Sequence, residues 1–358
     1  MYAVIMAGGS GTRFWPASRK DVPKQFLNIT GSDPMLLETC GRLSPLVSDD
    51  EMIIVLGKNH EQKARDLLKD RSVHILAEPV GRNTAPCIGL GALFAQYLGC
   101  DRAVAFLPAD HFIRDQKAFL QGLRTAGEVA EKGGIVTLGI VPTRPETGYG
   151  YIRRVETTEG NKNNSVFRVS AFVEKPDFET AKKYLADGSY FWNAGIFVAT
   201  PDTILTETKN CMPELYKGLQ TLKGALGTND FSGVLKEVYE GLESISFDYG
   251  VMEKTKGDVY VVPCECGWSD VGSWSSLYEL RSSEYDSANN LVEGDALVMD
   301  CRNSFISSRN GRLVAVLGME RCLVVDTEDS LLVADLDRAQ DIRKIVEALK
   351  ESGKERLL

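Results

Sequence analysis

The sequence predicts an α/β fold, with a Rossmann-like mixed and mostly parallel sheet flanked by helices. A small C-terminal β-rich module with a terminal helix follows. Two observations lead to this prediction. In the first half, short β-rich runs alternate with helical patterns, which is typical of strand–helix–strand units. After residue 285, short β-rich runs follow one another at close spacing. We therefore expect two domains, residues 1–285 and 286–358.

The first half supplies the core of the predicted sheet. Strands are predicted at 2–7, 52–57, 73–77 and 103–108, and helices at 34–46, 59–70, 84–98 and 115–131. Ligands in such sheets bind at the carboxyl ends of the strands. Motifs that directly follow these strands are therefore expected to share one crevice.

The middle and the tail differ in pattern. The middle continues the same sheet less regularly, with strands at 165–174 and 190–199 and helices at 177–187 and 230–240. The tail has predicted strands at 296–300, 304–308, 313–318, 322–326 and 330–334, and a closing helix at 338–351. In that helix Ile342, Ile345, Val346 and Leu349 form an apolar stripe. The stripe could bury against a partner subunit, so we expect a homodimer.

Composition excludes several classes of protein. Lysine plus arginine is 41 against 50 acidic residues, and this net charge of −9 argues against a nucleic-acid binder. No run of about 18 apolar residues predicts a membrane span, and the first residues do not have the pattern of a signal peptide. With only three histidines in the chain, His60, His74 and His111, a multi-histidine metal centre is not expected. The scattered cysteines predict reduced thiols and a cytoplasmic protein.

A glycine-rich loop follows the first predicted strand. Residues 7–26 read AGGSGTRFWPASRKDVPKQF. Gly8, Gly9 and Gly11 permit sharp bends that bring backbone N–H groups against a phosphate, and Arg13 and Lys24 can reach the same anion. This stretch is locally basic on an acidic protein. The third glycine of a dinucleotide-binding loop is missing and no Walker run G-x-x-x-x-G-K-[ST] is present, and a plain surface turn is the simplest alternative.

The whole run, with Thr12 beside Arg13, resembles the signature of sugar-nucleotide pyrophosphorylases, and in particular of mannose-1-phosphate guanylyltransferases. The resemblance extends over residues 2–335 and implies the nucleotidyltransferase type A fold. It also implies that the loop wraps a nucleoside triphosphate, whose phosphates Arg13 and Lys24 neutralise. The tail resembles the short left-handed β-helix-type module of this family, although an antiparallel sheet also fits its pattern.

A second motif, EPVGRNTAP, follows the third predicted strand. Guanine presents two adjacent donors, and the carboxylate of Glu78 can accept from both. The alternative is that Glu78 caps the helix that begins near Thr84. By the resemblance, Gly81 and Arg82 lie in the same nucleotide pocket.

Two aspartates are the predicted metal ligands. Asp110 follows the fourth predicted strand in LPADH, and its hard carboxylate oxygens suit Mg²⁺. We interpret His111 as a neighbour that orders Asp110. By the resemblance, Asp270 in GWSDVG holds the same Mg²⁺ or another divalent cation.

Three further motifs predict the sugar-phosphate site. By the resemblance, Gly148 in ETGYGYI lets the backbone approach the sugar, and Asn193 in WNAGIF contacts its hydroxyl groups. In FVEKP, Lys175 suits the phosphate of a sugar 1-phosphate and Glu174 can accept from sugar hydroxyls. An exposed ion pair at a strand end is the alternative for these last two residues.

The resemblance implies that GTP and mannose 1-phosphate form GDP-mannose and pyrophosphate. The sugar phosphate would attack the α-phosphorus in line, so catalysis would rest on positioning and charge neutralisation. Two other hypotheses stay open: the same chemistry with another base or hexose, and a non-catalytic nucleotide-sensing subunit. A sensor would be expected to lack some of the charged residues predicted above, and all of them are present.

Overall fold

The computed structural model describes residues 1–9, 11–155 and 166–358. They fall into two compact units. The first comprises Met1–Gly8, Thr39–Ala109 and Ile113–Trp268, and the second comprises Gly9–Glu38, Asp110–Phe112 and Ser269–Leu358. The second unit thus takes in segments far from the tail, and no single cut of the chain separates the two. The domain division at 285 stays a prediction.

The regular elements are numbered in chain order. The strands are β1 (Tyr2–Met6), β2 (Met52–Gly57), β3 (His74–Glu78), β4 (Val104–Pro108), β5 (Phe112–Ile113), β6 (Ile135–Ile140), β7 (Tyr151–Arg154), β8 (Phe167–Val173), β9 (Tyr190–Ala199), β10 (Val259–Pro263), β11 (Trp268–Ser269), β12 (Leu291–Glu293), β13 (Ala296–Met299), β14 (Phe305–Ser308), β15 (Val314–Leu317), β16 (Cys322–Asp326) and β17 (Leu331–Asp335). The helices are α1 (Met35–Leu43), α2 (Glu61–Leu67), α3 (Thr84–Tyr97), α4 (Gln116–Ala130), α5 (Phe178–Asp187), α6 (Pro201–Cys211), α7 (Pro213–Ala225), α8 (Phe231–Gly241), α9 (Trp274–Leu280) and α10 (Ile342–Glu351).

The first unit contains a nine-stranded mixed sheet in the order β3-β2-β1-β4-β9-β6-β10-β8-β7. Strands β3, β2, β1 and β4 are parallel, as are β6 and β10. Strand β9 runs antiparallel to both of its neighbours β4 and β6. The mixed α/β sheet is therefore confirmed, and the middle of the chain does continue it. The predicted strand 165–174 begins at Ser165, which lies outside the described residues.

The central strands of this sheet form because they are apolar throughout. Strand β1 and its neighbours are buried, as expected for parallel strands covered on both faces. Helix α3 packs tightly against β1 through Gly91, where an added Cβ would lie only 2.5 Å from Cγ1 of Val4. Most residues of α3 are buried on every side of the helix. This arrangement places α3 directly after the loop that carries Gly81 and Arg82.

The C-terminal part of the second unit consists mainly of strands that pair in parallel. Strands β12, β14 and β16 pair in parallel, and β13 pairs in parallel with β15. Strand β17, the last of the module, pairs antiparallel to β16. Consecutive strands from β12 to β16 thus alternate between two sheets, which is the pattern of a β-helix. The predicted β-helix-type module is therefore confirmed, and the alternative of an antiparallel sheet is not.

The beginning of the second unit packs on the same core. The rings of Phe14 and Trp274 lie 5.1 Å apart, and Nε1 of Trp15 donates to the carbonyl of Leu357 over 2.8 Å. Both Phe14 and Trp15 are buried. The glycine-rich loop is therefore anchored by two aromatic side chains within its own unit.

Most of the apolar stripe of helix α10 packs on the core of this unit. Ile342 is 1% exposed, and Val346 and Leu349 pack partly buried on the same core, whereas Ile345 is 37% exposed. The chain itself thus covers the stripe except at Ile345, and the homodimer stays a prediction. Among the described residues, no helix combines the length and the apolar character that crossing a bilayer requires.

Candidate active site

The glycine-rich loop has the backbone that its sequence predicts. Gly9 and Gly11 have φ angles of +98° and +57°, which side chains rarely tolerate. A Cβ at Gly11 would also lie 2.6 Å from the backbone nitrogen of Lys24. Thr12 begins a short 3₁₀ turn, and Arg13 in the same turn is exposed. Gly8, in the first unit, is exposed as well.

Lys24 contacts both predicted metal ligands within the second unit. Its Nζ donates to the carbonyl oxygens of Asp110 over 2.8 Å and of Asp270 over 2.6 Å. It also lies 3.0 Å from Oδ2 of Asp110, and the Lys24 side chain is only 7% exposed. A buried ammonium needs such partners, because an unpaired charge in a protein interior is costly. Three residues predicted from separate motifs therefore form one cluster.

Electrostatics keep the Asp110 carboxyl ionised. Burial acts to raise its pKa, but the charge of Lys24, the neighbouring His111 and hydrogen bonds outweigh burial and leave the pKa below its usual value. Directly after Asp270, the β-branched Val271 has a φ of +45°. Backbone strain of this kind concentrates at functional sites.

The donor set suits a hard divalent cation with few protein ligands. The described residues contain no group of three or more histidine, cysteine, aspartate or glutamate side chains placed to hold a metal ion. Mg²⁺ is commonly held by only one or two carboxylates, together with substrate phosphates. Asp110 and Asp270 match that pattern, with one oxygen of Asp110 already paired with Lys24.

Glu78 ends β3 in the first unit and is buried. Its Oε1 accepts a hydrogen bond of 3.0 Å from the hydroxyl of Tyr239. Burial raises the Glu78 pKa to about 7, although the bond from Tyr239 opposes this rise. Glu78 is not the helix cap, because the side chain of Asn83 accepts from the backbone of Thr84. Tyr239 was not predicted, because a tyrosine within the helical pattern of α8 is typical of a core residue.

The Arg82 side chain is hydrogen-bonded to backbone carbonyl groups of the protein. Its guanidinium donates to the carbonyl oxygens of Tyr239 over 2.8 Å and Glu240 over 2.7 Å, near the end of α8. A cation is favourable there because the last carbonyl groups of a helix lack helical partners. Gly81 is exposed. A role of either residue toward a nucleotide stays a prediction.

The predicted sugar residues Glu174, Lys175 and Asn193 belong to one cluster with Asp248. Glu174 and Lys175 form an ion pair just after β8, where Lys175 has a φ of +50°. Glu174 is not an exposed partner, because its side chain is only 8% exposed. Asn193 is buried in β9, and its Nδ2 donates to Oδ1 of Asp248 over 2.8 Å. Asp248 begins a π-helical turn, a feature that is frequent at functional sites.

Burial and charge together shift two pKa values in this cluster. Burial first, and the charge of Glu174 second, raise the Asp248 pKa to about 6. Burial acts to lower the pKa of Lys175, but Glu174 outweighs it and the pKa is raised. Asp248 was missing from the predicted site. The available signal was its run SFDYGVMEK, residues 246–254, which resembles a motif of the same family.

The loop before β7 holds Gly148. Its N–H donates to Oε1 of Glu146 over 3.0 Å, and the residue is exposed. The next ring, Tyr149, packs edge-on against Trp192 and Trp268 at 5.3 and 5.2 Å. The close backbone approach in this loop occurs at Gly150, where an added Cβ would lie 2.4 Å from Oε2 of Glu174.

Comparison with known proteins identifies the family. The model of the nucleotidyl transferase family matches residues 2–287, and that of the mannose-phosphate isomerase/GMP-like β-helix domain matches residues 286–349. A mannose-1-phosphate guanylyltransferase of Salmonella montevideo is 43% identical over 353 residues, covering 97% of this chain and 73% of that protein. The chain belongs to the mannose-1-phosphate guanylyltransferase family of nucleotidyl transferases. The resemblance drawn from the motifs is thereby confirmed, and the chain is a nucleotidyltransferase.

Two other comparisons agree with this assignment. The xanthan biosynthesis protein XanB of Xanthomonas campestris is 41% identical over 355 residues, covering 98% of this chain and 73% of that protein. A crystal structure described as mannose-1-phosphate geranyltransferase from Thermus thermophilus is 38% identical with a TM-score of 0.88, and covers 98% of this chain and 99% of that one. The fold described above, with its β-helix module, is therefore the fold of a family member.

Proposed function

We propose that this chain transfers GMP from GTP to mannose 1-phosphate and so forms GDP-mannose and pyrophosphate. The observation that carries the proposal is the 43% identity, over nearly the whole chain, to a curated mannose-1-phosphate guanylyltransferase. The two side-chain clusters described above supply the types of group that this reaction needs. One carries cationic groups and carboxylates that suit a divalent cation, and the other carries groups that suit a sugar phosphate.

The reaction needs no protein nucleophile. The phosphate group of mannose 1-phosphate is anionic at neutral pH and attacks the α-phosphorus of GTP, and pyrophosphate leaves. The protein must offset the repulsion between two polyanions. We assign that role to Arg13, Lys24 and Lys175. The short bonds from Lys24 to two backbone carbonyl groups hold its ammonium in place before substrate binds.

Guanine recognition is assigned to Glu78. Its Oε1 already accepts from Tyr239, which fixes the orientation of the carboxyl group. A carboxylate accepts through both oxygens and can serve the N1–H and the exocyclic amine of guanine, whereas adenine offers no such pair of donors. We place Gly8, Gly9, Gly11 and Thr12 at the triphosphate, and Gly81 and Arg82 in the nucleotide pocket.

Asp110 and Asp270 are the residues that would hold Mg²⁺. Nucleotidyl transferases generally use divalent cations. When bound, such an ion neutralises phosphate charge and polarises the P–O bonds. Lys24 holds the backbone of both aspartates and keeps the Asp110 carboxyl ionised, so that the carboxylate oxygen not paired with Lys24 can serve as a ligand.

Sugar-phosphate binding is assigned to Lys175, Glu174, Asn193 and the loop at Gly148. Lys175 supplies a point charge for the phosphate, and its pKa is raised, so it stays protonated. We further propose a cytoplasmic homodimer that binds neither nucleic acid nor membrane. The location and the lack of nucleic-acid or membrane binding rest on composition and on the cysteine pattern, whereas the homodimer is carried over from the sequence prediction alone.

A pyrophosphate-release screen tests the proposal. The chain is assayed with Mg²⁺, the four common nucleoside triphosphates and a panel of hexose 1-phosphates. We expect the highest kcat/KM for GTP with mannose 1-phosphate. A higher value for another base or hexose would overturn the specificity, and no release with any pair would favour a nucleotide-sensing subunit. Light scattering of the purified chain tests the dimer.

A further inference from the structure

We propose that Asp248 is a positioning residue that holds the Asn193 amide as a hydrogen-bond donor beside the unpaired acceptor Oε2 of Glu174, so that the two atoms together read one hydroxyl group of the sugar. This inference rests on the proposed function and deepens it. It concerns a residue outside the predicted site, and its argument lies within the first unit.

The Asn193 amide has its orientation set by its partners. The N–H of Gly195 donates to Oδ1 of Asn193 over 3.0 Å, and the hydroxyl of Thr137 donates to the same oxygen over 3.3 Å. Asp248 accepts from Nδ2 over 2.8 Å. An ionised carboxylate can only accept and a backbone N–H can only donate, so both contacts favour the same orientation. One N–H of the amide then remains for a ligand.

Glu174 presents the complementary group. Its Oε1 is paired with Lys175, while its Oε2 is buried and has no hydrogen-bond partner among the described residues. The side chain is more than nine-tenths buried. Leaving a charged oxygen without a partner is costly, so such an atom calls for an explanation. A hydroxyl group that donates to Oε2 would supply the missing bond.

Gly150 brings the donor and the acceptor together. A Cβ built on this residue would lie 2.4 Å from Oε2 of Glu174 and 3.5 Å from Nδ2 of Asn193. Both polar atoms therefore lie against Gly150, at the position where a side chain would meet them. A hydroxyl group can donate and accept at once, and so can satisfy both atoms. A deoxy sugar would leave both unpaired.

The role of Asp248 follows from this geometry. Its carboxylate accepts a hydrogen bond from one N–H of the Asn193 amide and so fixes the direction of the second N–H. Without Asp248, the amide loses its anchor at Nδ2 and the donor is held less well. The acceptor of Glu174 does not depend on Asp248. Loss of Asp248 should therefore weaken the discrimination at one sugar hydroxyl without affecting binding of GTP.

The test compares mannose 1-phosphate with its 2-, 3-, 4- and 6-deoxy analogues. For the wild-type chain, we expect at least a tenfold lower kcat/KM with one analogue, about the effect of an unpaired buried polar group. Asp248→Ala should reduce that difference several-fold and leave the ratios for the other analogues and the KM for GTP unchanged. Asp248→Asn retains an acceptor oxygen and should restore the discrimination.

Asp258→Ala is the matched control, because it removes an aspartate just before β10 whose ion pair with Arg168 is exposed, and it should behave as wild type. The inference would be overturned if the wild type discriminated against one deoxy analogue and Asp248→Ala discriminated equally well. It would also be overturned if Asp248→Ala lowered kcat/KM by the same factor for mannose 1-phosphate and for every analogue. No turnover by the wild type would instead overturn the proposed function. Thermal unfolding of each variant shows whether it is folded.

Discussion

The ammonium nitrogen of Lys24 lies 2.8 Å from the carbonyl oxygen of Asp110 and 2.6 Å from that of Asp270. One buried side chain thus ties together two segments that are 160 residues apart in the sequence. The same ammonium pairs with Oδ2 of Asp110 at 3.0 Å. Lys24 therefore organises the predicted metal ligands as well as contributing charge.

Lys24→Met should impair both stability and catalysis. The change removes all three N–H donors and leaves the Asp110 carboxylate without its cation. We expect the free energy of unfolding to fall by about 2 kcal/mol, since the aspartate is partly exposed, and kcat to fall about 10²–10³-fold. Denaturant unfolding and steady-state kinetics measure the two effects. Lys58→Met, which removes an exposed ion pair with Glu61, should change neither and is the control. Full activity of Lys24→Met would contradict this role.

Asp110→Asn should alter the metal requirement. The amide is a weaker ligand than a carboxylate for a hard cation. We expect the Mg²⁺ concentration for half-maximal activity to rise at least about tenfold, with kcat reduced even at saturation. Titration of activity with Mg²⁺ measures both, with Asp258→Asn as the exposed control. An unchanged Mg²⁺ titration curve would refute the assignment of Asp110 as a ligand.

Glu78 should make stability depend on pH. Its folded pKa of about 7 lies above its usual value of 4.5, so its contribution to stability is fully present below pH 4.5 and is lost as the pH rises through 7. Glu78→Gln keeps an acceptor for Tyr239 but cannot ionise. Relative to wild type, we expect this variant to gain about 2–3 kcal/mol between pH 5 and pH 8. Unfolding curves at both pH values measure the gain, and Glu243→Gln on the surface should show none.

The same substitution tests base recognition by a separate readout. A glutamine side chain offers one acceptor and one donor group, so it cannot accept from both guanine donors. We expect Glu78→Gln to lose about tenfold or more in kcat/KM for GTP relative to ATP. An unchanged GTP preference would leave Glu78 with a structural role beside Tyr239.

Gly150→Ala should interfere with the sugar site alone. The added methyl group would stand 2.4 Å from Oε2 of Glu174 and within 3.5 Å of Nδ2 of Asn193. We expect the KM for mannose 1-phosphate to rise about tenfold or more while the KM for GTP is unchanged. Gly233→Ala in α8 meets no atom within 4 Å and serves as the control. A rise of both KM values together would point to a general disturbance of the fold.

Helix α10 offers a matched pair of isoleucines. Ile342 is 1% exposed in the core of the second unit, whereas Ile345 is 37% exposed. Ile342→Ala should lower the free energy of unfolding by about 2–5 kcal/mol, because it leaves a cavity, and Ile345→Ala by less than about 1 kcal/mol. Denaturant unfolding compares them. A larger effect of Ile345→Ala in a chain that light scattering shows to be dimeric would place a partner subunit on this face.

The sequence patterns predicted some strands of the sheet accurately and missed others. Strands β1, β2, β4 and β9 were predicted nearly at their observed bounds, since each is a short apolar run between turn residues. Strands β6 and β10 lie outside the predicted strands. They pair in parallel with each other although more than 100 residues separate them, and no local pattern indicates such a pairing.

The sequence by itself determined the family and the chemistry of its motifs, because local runs such as the glycine-rich loop and FVEKP carry the needed residue types in fixed spacing. Only the tertiary structure decided which of those residues meet. It brought Lys24 onto Asp110 and Asp270, buried Glu78 against Tyr239, and added Asp248 to the sugar cluster. It also turned most of the apolar stripe of α10, but not Ile345, into the core of the second unit. These outcomes depend on burial and on contacts between distant segments, which spacing along the chain does not encode.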